Sequence, residues 1–329
     1  MNSKACFNIN TAPATTFRAQ AAKWVAYVTT RRRRPVKPAT LRGWRAALDK
    51  WLLPHLGDRL LADISNAALR EIVEKMLAGG LVAKTIVNYA QVVKMVLASA
   101  VDAEGDQLYP RKWNHDFIGM PIIRKEEQHR PSVTGAGVEQ ILANSKRRYA
   151  VLFAVLAGTG LRIGEALGLK VTDLSPDCRV LYVRRSIWCG KEQLPKTPSA
   201  VREVDLAEPL ARLLQDEIAG KEGYLFATST GTALQQRNAL GWLHEAKRVG
   251  FHAFRRFRTE NLRRARVPED LIRLWLGHAK PTITDLYADG LKNDSAWRQE
   301  WCERAGLGFS LNGLHGLQNV LQIDSVKVA

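Results

Sequence analysis

The first hundred residues carry hydrophobic side chains at helical spacing. In TFRAQAAKWVAYVTT this period brings five apolar residues near one side of a helix, namely Phe17, Ala21, Trp24, Val25 and Tyr27. The segments ATLRGWRAALDKWLLPHLG and NAALREIVEKMLAGG continue the pattern. The segment KTIVNYAQVVKMVLASAVDAEG adds an apolar face made of Ile86, Val87, Tyr89, Val92, Val93 and Val96. These periods predict an all-helical unit that ends near residue 106.

The pattern changes after YPRKWNHDFIGMPIIRKEEQHRPSVTG, a segment rich in proline, charge and turn-forming residues. Beyond it, helical periods surround a short β-region, where RVLYVRRSIW alternates as a strand does and REVDL is expected to return beside it. The sequence therefore predicts a mostly α, two-domain protein whose second domain is α+β with a small β-hairpin sheet. The predicted parts are a flexible N-terminus (1–13), a helical domain (14–108), a linker (109–131), a second domain (132–292) and a C-terminal tail (293–329).

Composition adds a class of partner to this picture. The chain has 329 residues, 46% of them hydrophobic, and a formal net charge of +17. Such an excess predicts attraction to a polyanion, with nucleic acid ahead of an anionic membrane surface. No apolar run is long enough to span a bilayer and the N-terminus is not of the signal type, so we expect no membrane association and a cytoplasmic protein. The four cysteines are scattered without zinc-ligand spacing and predict no metal site.

A basic run follows the first predicted helix and consists of Arg31, Arg32, Arg33 and Arg34. The prolines just beyond it mark a loop. A solvated loop explains such a run adequately. Contact between these arginines and DNA phosphates is the sharper hypothesis.

Two pairs of residues, each three positions apart, suggest an anion site. In GTGLRIGEALGLKVTDL, Arg162 and Glu165 share one helical face, where the carboxylate can hold the guanidinium. In FHAFRRFRTENLRRARVPED, His252 and Arg255 stand at a predicted helix N-terminus, where free N–H groups favour a phosphate. The Arg162–Glu165 pair alone is better explained as an ordinary surface ion pair. The other arginines of the second segment, Arg258 among them, are expected to be solvated.

The segment LGHAKPTITDLYADG carries a histidine and a tyrosine at the ends of predicted helices. Gly277 ends one helix and leaves His278 at its C-terminus. Thr282 and Asp285 fit a capping box for a short helix that carries Tyr287. A core tyrosine beside a capping histidine is the ordinary interpretation. The alternative is that an imidazole and a phenol share one neighbourhood, as phosphoryl transfer to a tyrosine requires.

Six residues resemble, in their order, the catalytic pattern of the tyrosine recombinase (phage integrase) family: Arg162, Glu165, His252, Arg255, His278 and Tyr287. The N-terminal helical unit also resembles that family's SAM-like core-binding domain. The resemblance implies that Arg162, supported by Glu165, and Arg255 clamp the scissile phosphate. It further implies that His252 and His278 donate hydrogen bonds or transfer protons, and that Tyr287 is the nucleophile.

The family pattern also contains a hairpin lysine, the general acid for the leaving 5′ oxygen. KEQLPKTPSAVREVDL resembles the family's Lys-Thr before a second strand, which selects Lys196, but Lys191 lies close enough to compete. Two arginines that stay protonated can neutralise the transition state, so we expect neither a metal ion nor a cofactor. The sequence also contains no P-loop and no convincing carboxylate cluster for paired magnesium.

The resemblance implies a site-specific recombinase or integrase of a mobile genetic element, associated with the nucleoid. Its implied partners are double-stranded DNA, three further copies of the chain in a homotetramer on paired DNA sites, and accessory DNA-bending proteins. The tail after Tyr287 is expected to dock on a neighbouring protomer. Two other interpretations compete: strand relaxation of the type IB topoisomerase kind, which a defined recognition site would exclude, and DNA binding without cleavage.

Overall fold

The computed structural model of the chain describes residues 14–33, 35–124, 126, 131–193, 201–246, 249–277, 290 and 293–315. The chain divides into two compact units, Met1–Gln128 and His129–Ala329. Most of the described residues are helical, and the described strands form two small antiparallel sheets. The predicted mostly helical fold with a small β-region is therefore confirmed, and the division into two compact units is consistent with the two predicted domains.

The first unit is built from helices, three of which begin at side-chain caps, formed by Thr16, Ser65 and Asn114. The hydroxyl of Thr16 accepts a hydrogen bond from the Ala19 N–H at the start of α1, and Ser65 caps α4 in the same way. The helices of this unit are α1 (Phe17–Thr30), α2 (Pro38–Ala47), α3 (Leu53–Leu56), α4 (Asn66–Ala78), α5 (Ala83–Ala98) and α6 (His115–Ile118). A π-helical turn at Leu48–Leu52 joins α2 to α3.

The buried face of α1 differs from the predicted one, because Gln20 and Val28 are buried, Val25 is only partly buried and Tyr27 is exposed. Phe17, Ala21 and Trp24 are buried as predicted, but Tyr27 is 62% exposed and Val28 is 2% exposed. Val28 lies one turn beyond Trp24 and so continues the buried row, whereas Tyr27 is rotated out of it. In α5 the predicted face is mostly buried, although Val87 and Tyr89 are only partly covered.

The second unit is organised around a central helix. Every residue of α8 (Arg147–Thr159) from Tyr149 onward is buried. Helices α7 (Gly135–Ala143), α10 (Glu208–Ile218) and α12 (His252–Arg264) pack against it. The other helices that the structure describes in this unit are α9 (Ile163–Leu167), α11 (Gln236–Ala246), α13 (Glu269–Leu276), α14 (Ser295–Ala305) and α15 (Asn312–His315).

Within its described residues, the β-region contains four short strands in two pairs. Strand β1 (Val180–Val183) pairs antiparallel with β4 (Arg202–Asp205), which confirms the returning strand that REVDL predicted. Strand β2 (Ser186–Trp188) pairs with β3 (Lys191–Gln193). Between β2 and β3, Cys189 and Gly190 both have positive φ, 50° and 74°, as a two-residue hairpin turn requires.

Part of the predicted C-terminal tail belongs to the second unit. Arg298 of α14 forms an ion pair with Asp205 of β4 at 2.9 Å, and Cys302, Leu307 and Leu311 lie in the same core. Residues 295–315 of this tail thus pack on their own chain, residues 316–329 lie outside the described part, and docking of the tail on a neighbouring protomer stays a prediction. Of the helices described, none is both long and apolar enough to cross a membrane.

Candidate active site

The Arg162–Glu165 pair forms where α8 turns into α9. Helix α8 ends at Gly160, which has a φ of 70°, and Arg162 is the residue that precedes α9. Its backbone N–H donates to Glu165 Oε2 at 3.0 Å, and its Nη1 donates to Glu165 Oε1 at 2.9 Å. The carboxylate is buried while 43% of the Arg162 side chain remains exposed. A guanidinium that is held through one nitrogen while nearly half of its side chain stays exposed can receive a phosphate.

A second arginine shares the Glu165 carboxylate. Arg202, the first residue of β4, donates from Nη2 to Glu165 Oε2 at 3.0 Å. Burial alone would raise the pKa of Glu165, but the hydrogen bonds and charges of Arg202 and then Arg162 hold that pKa below its ordinary value. Glu165 is therefore ionised at neutral pH.

Arg255 lies buried in the first turn of α12 and is fixed by two carbonyl groups. Its Nη1 donates to the Gly160 carbonyl at 2.8 Å, and its Nη2 donates to the Leu276 carbonyl. Burial, followed by the nearby charge of Arg162, lowers the pKa of Arg255 to about 10. The group remains protonated at neutral pH, and its hydrogen bonds to neutral carbonyls leave its charge open to an added anion.

His252 is the first residue of α12 and is exposed. Partial burial of its ring, and then the positive charges of Arg255, Arg256 and Arg162, lower the pKa of His252 below its ordinary value of 6.5. The imidazole is therefore neutral at neutral pH. A neutral ring can accept a proton as well as donate a hydrogen bond.

The structure thus brings together Arg162, Glu165, Arg255 and His252, four of the predicted catalytic residues. Lys196, His278 and Tyr287 lie outside the described residues. The competing lysine, Lys191, is described: it is exposed and directly follows the β2–β3 turn. Within the part of the chain that is described, no group of three or more His, Cys, Asp or Glu side chains is arranged to hold a metal ion.

The basic run belongs to the first unit. Arg32 and Arg33 are exposed just beyond the end of α1, and Arg31 is partly buried. Arg34 lies outside the described residues. Side chains exposed in this way are available for phosphate contact.

Two arginines have roles that the sequence did not indicate. Arg258 was expected to be solvated, but it is 2% exposed and donates to the Gly306 carbonyl. Arg202, whose segment was recognised only as a strand, is 6% exposed and contacts Glu165. The alternation of REVDL could have indicated that Arg202 is buried, because Arg202 lies on the same face of the strand as the buried Val204.

Comparison with known proteins identifies the second unit. Residues 131–294 match the model of the phage integrase family. This chain belongs to the phage integrase family through these residues. The four clustered residues Arg162, Glu165, His252 and Arg255 all lie inside the matched segment.

Related sequences and structures agree with this assignment. The chain is 30% identical over 172 residues to a tyrosine recombinase XerC-like protein of Caldanaerobacter subterraneus subsp. tengcongensis, a match that covers 42% of this chain and 44% of that protein. It spans about half the length of the curated relatives it matches. The Tn1549 transposon integrase in complex with transposon right end DNA has the same fold, with a TM-score of 0.64 and 20% identity over 85% of this chain and 100% of that one. A lambda integrase tetramer bound to a Holliday junction matches with a TM-score of 0.62 and 15% identity, over 86% of this chain and 83% of that one.

Proposed function

We propose that this chain is a site-specific DNA recombinase that cuts and rejoins double-stranded DNA through a 3′-phosphotyrosyl intermediate at Tyr287, without a metal ion or ATP. The observation that carries the proposal is the meeting of Arg162, Arg255 and His252 inside a phage integrase domain. Phosphate geometry suits a guanidinium, which gives paired hydrogen bonds in a fixed plane.

The two arginines would lower the barrier by neutralising charge. Attack on a phosphodiester concentrates negative charge on its non-bridging oxygens, and preorganised cations stabilise that charge most strongly when they need not move. Arg255 is held by the Gly160 and Leu276 carbonyls and Arg162 by Glu165, so each side chain is restrained before DNA arrives. Such restraint is the property that the reaction needs.

Tyr287 carries the covalent step. Its hydroxyl oxygen attacks the phosphorus, a bond from phosphorus to the tyrosine oxygen forms, and the bond from phosphorus to the 5′ oxygen breaks. The phenolic proton passes to an imidazole, for which neutral His252 qualifies because of its lowered pKa and for which His278 is the family's second candidate. The departing 5′ oxygen takes a proton from Lys196, with Lys191 as the competing donor. A 5′ hydroxyl of another strand then reverses these steps and rejoins the DNA.

The proposed partners follow from the charge of this chain and from its relatives. A net charge of +17 favours binding to the DNA backbone. The lambda integrase likeness is to a tetramer on a Holliday junction, and it supports the proposal that this chain also acts as a homotetramer on paired sites. Accessory DNA-bending proteins and a nucleoid-associated location complete the proposal.

The decisive experiment uses nicked, labelled duplexes taken from DNA that flanks the encoding gene. Their design traps a covalent intermediate, because the short strand beyond the cut diffuses away. We expect a covalent protein–DNA adduct that survives a chelator, carries a 3′ phosphotyrosine and disappears in Tyr287→Phe. Tyr182→Phe is the matched control, since Tyr182 lies on β1 beneath the Arg184 guanidinium and should leave the adduct intact.

Other outcomes would contradict the proposal in distinct ways. DNA binding without an adduct on any duplex would indicate a binding protein that does not cleave. An adduct with no sequence preference, together with relaxation of supercoiled DNA, would indicate the topoisomerase reaction. An adduct that persists in Tyr287→Phe would exclude Tyr287 as the nucleophile.

A further inference from the structure

Arg202 is a buried charge in the middle of the second unit. Its side chain is 1% exposed, and it stands at the start of β4 opposite Val183 of β1. Removing a charged group from water is unfavourable unless close partners offset the loss of hydration. A fully buried arginine is therefore expected only where its hydrogen bonds compensate for that loss. Partners of Arg202 among the described residues lie on two other elements of the unit.

The first partner of Arg202 is the carboxylate that holds Arg162. Nη2 of Arg202 donates to Glu165 Oε2 at 3.0 Å, and Nη1 lies 3.4 Å from Glu165 Oε1. The planar fork of a guanidinium matches both oxygens of a carboxylate, which fixes direction as well as distance. Arg202 thereby holds the same Glu165 carboxylate that holds Arg162.

The second partner is the end of helix α13. Nε of Arg202 donates to the Trp275 carbonyl at 2.8 Å. Gly277, which ends this helix with a φ of 62°, lies directly against the guanidinium: a Cβ there would stand 2.8 Å from Arg202 Nη1. The turn after α13 is therefore built on the Arg202 side chain, and only glycine suits both the backbone angle and the close approach.

Both arginines of the candidate active site depend on groups that Arg202 contacts or adjoins. Arg162 is held by Glu165, and Arg255 donates to the carbonyl of Leu276, the residue that follows Trp275. Arg202 thus stands between the two halves of the anion site, joining α9 to the end of α13 through β4.

We propose that Arg202 is a positioning residue that sets the spacing of Arg162 and Arg255, and so of the phosphate clamp, without touching the DNA. This proposal rests on the proposed recombinase function for its catalytic consequence. A lysine at position 202 would keep the positive charge but offers no planar fork, so it cannot hold the carboxylate and the carbonyl in one geometry.

The test compares Arg202→Lys and Arg202→Gln with a matched control, Arg147→Gln. Arg147 has the same type of partners at another place in the unit, since it contacts the Glu217 carboxylate at 3.4 Å and donates to the Leu314 carbonyl at 3.0 Å. Adduct formation is measured on the nicked duplex that traps the wild-type protein, alongside DNA affinity and thermal unfolding. Because Arg202→Lys retains the buried charge, it supplies a folded variant if Arg202→Gln does not fold.

We expect both Arg202 variants to slow adduct formation by about 10²-fold at saturating DNA, the loss typical of a catalytic group displaced by about 1 Å. DNA affinity should stay near that of the wild-type protein, and Arg147→Gln should react at the wild-type rate. A second substrate carries a neutral methylphosphonate at the scissile position. On this substrate, the Arg202 substitutions should slow adduct formation, relative to the wild-type protein, by a smaller factor than on the normal phosphate. One of the negative charges that Arg162 and Arg255 neutralise is absent from it. A defect caused only by lower stability would be equal on both substrates.

Hydrogen exchange separates this proposal from the proposed function. The amides of residues 162–166 and 275–277 should exchange faster in the Arg202 variants and not in Arg147→Gln. If wild-type protein forms no adduct on any duplex, the recombinase proposal fails while faster exchange at both segments still supports the link that Arg202 makes. Unchanged exchange at either segment, or faster exchange with wild-type adduct rates on the phosphate substrate, would overturn the positioning role.

Discussion

A lysine and an arginine carry the same charge but offer a phosphate different hydrogen bonds. Arg255 uses two nitrogens to hold two carbonyls, and its planar group fixes where the remaining donors point. We expect Arg255→Lys to reduce adduct formation by about 10²–10³-fold, the usual loss for one preorganised donor of a charged transition state. The measurement is the single-turnover rate at saturating DNA.

Arg263→Lys is the control for this substitution. Arg263 stands on the same helix with 65% of its side chain exposed, so the change should leave the adduct rate close to wild type. Equal rates for Arg255→Lys and Arg263→Lys would show that Arg255 does not act on the phosphate.

The identity of the general acid can be decided by changing the leaving group. A sulfur in place of the 5′ bridging oxygen leaves as a thiolate and needs no proton. We therefore expect Lys196→Ala to be slow on the normal duplex and close to wild type on the 5′-thio duplex, while Lys191→Ala is close to wild type on both. If instead Lys191→Ala is slow on the normal duplex and restored on the 5′-thio duplex, Lys191, which follows the β2–β3 turn, is the general acid.

The protonation of His252 predicts the acid side of the pH profile. Its pKa lies below 6.5 because of partial burial and then the charges of Arg255, Arg256 and Arg162. The neutral ring is present above that lowered pKa, so adduct formation should be constant through neutral pH and fall only in more acidic buffer. Arg256→Gln removes one of these charges, so the pKa of His252 should rise and the acidic fall should begin at a higher pH.

The pH shift has its own control and its own contrary result. Arg266→Gln changes an arginine of the same segment that is not among the causes of the His252 shift, and it should leave the pH profile unchanged. An acidic fall at the same pH in wild type and Arg256→Gln would mean that His252 is not the titrating group.

At the scale of elements, one buried ion pair joins α14 to the sheet and to α13. Arg298 donates from Nε to Asp205 Oδ2 at 2.9 Å, and the same oxygen accepts from the Trp275 indole at 2.7 Å. Removing one member of a buried pair leaves the other charge uncompensated. Arg298→Ala is therefore expected to lower the free energy of unfolding by about 3–5 kcal/mol.

Denaturant unfolding measures this loss against a control on the same helix. Arg304 lies over the exposed side of α14 with its guanidinium 4.8 Å from the Trp301 ring centroid, so Arg304→Ala should cost less than about 1 kcal/mol. Losses of similar size in the two variants would show that α14 is not anchored through Asp205.

The residue pairs that could be recognised from the sequence are those whose members lie within one helical turn of each other. Arg162 and Glu165 were singled out because they stand three residues apart, and the contact proves to be a capping interaction at the start of α9; His252 and Arg255 were singled out because both stand in one helical turn. Arg202 gave no such signal, since its partners Glu165 and Trp275 lie 37 and 73 positions away. Contacts at that range depend on how strands and helices pack, which hydrophobic periodicity does not specify.

Long-range packing also explains why the exposure of Arg258 and of Tyr27 was predicted wrongly. Arg258 follows Arg255 by three residues on α12, and charge alone predicted that it would be solvated, but the segment after α14 covers it and supplies the Gly306 carbonyl. Tyr27 fits the apolar composition of α1 but falls outside its buried row, which is defined by packing against α5, α3 and α2. The fold class was predictable from helical periodicity and strand alternation, whereas the buried contacts of Arg202 and Arg258 were not.

At the scale of the whole molecule, the charge of +17 predicts how DNA binding responds to salt. Each phosphate contact releases counterions, so the logarithm of the binding constant should fall linearly with the logarithm of salt concentration. Arg32 and Arg33 are exposed beyond α1 and should contribute such contacts. The double variant Arg32→Gln with Arg33→Gln should weaken binding to all sequences and reduce the slope by about one for each arginine that touches a phosphate.

Arg212→Gln provides the matched test of that assignment. Arg212 is 74% exposed in the second unit but already paired with Glu208, so losing it removes one charge without removing an arginine that is open to phosphate. Binding titrations over a range of salt should give Arg212→Gln the wild-type slope and the double variant a shallower one. If both slopes equal that of the wild type, the basic run is solvated in the complex, and the phosphate contacts must be made by other residues. Because net charge changes by only one or two units in these variants, a shared small loss of affinity would reflect the general field and not a direct phosphate interaction.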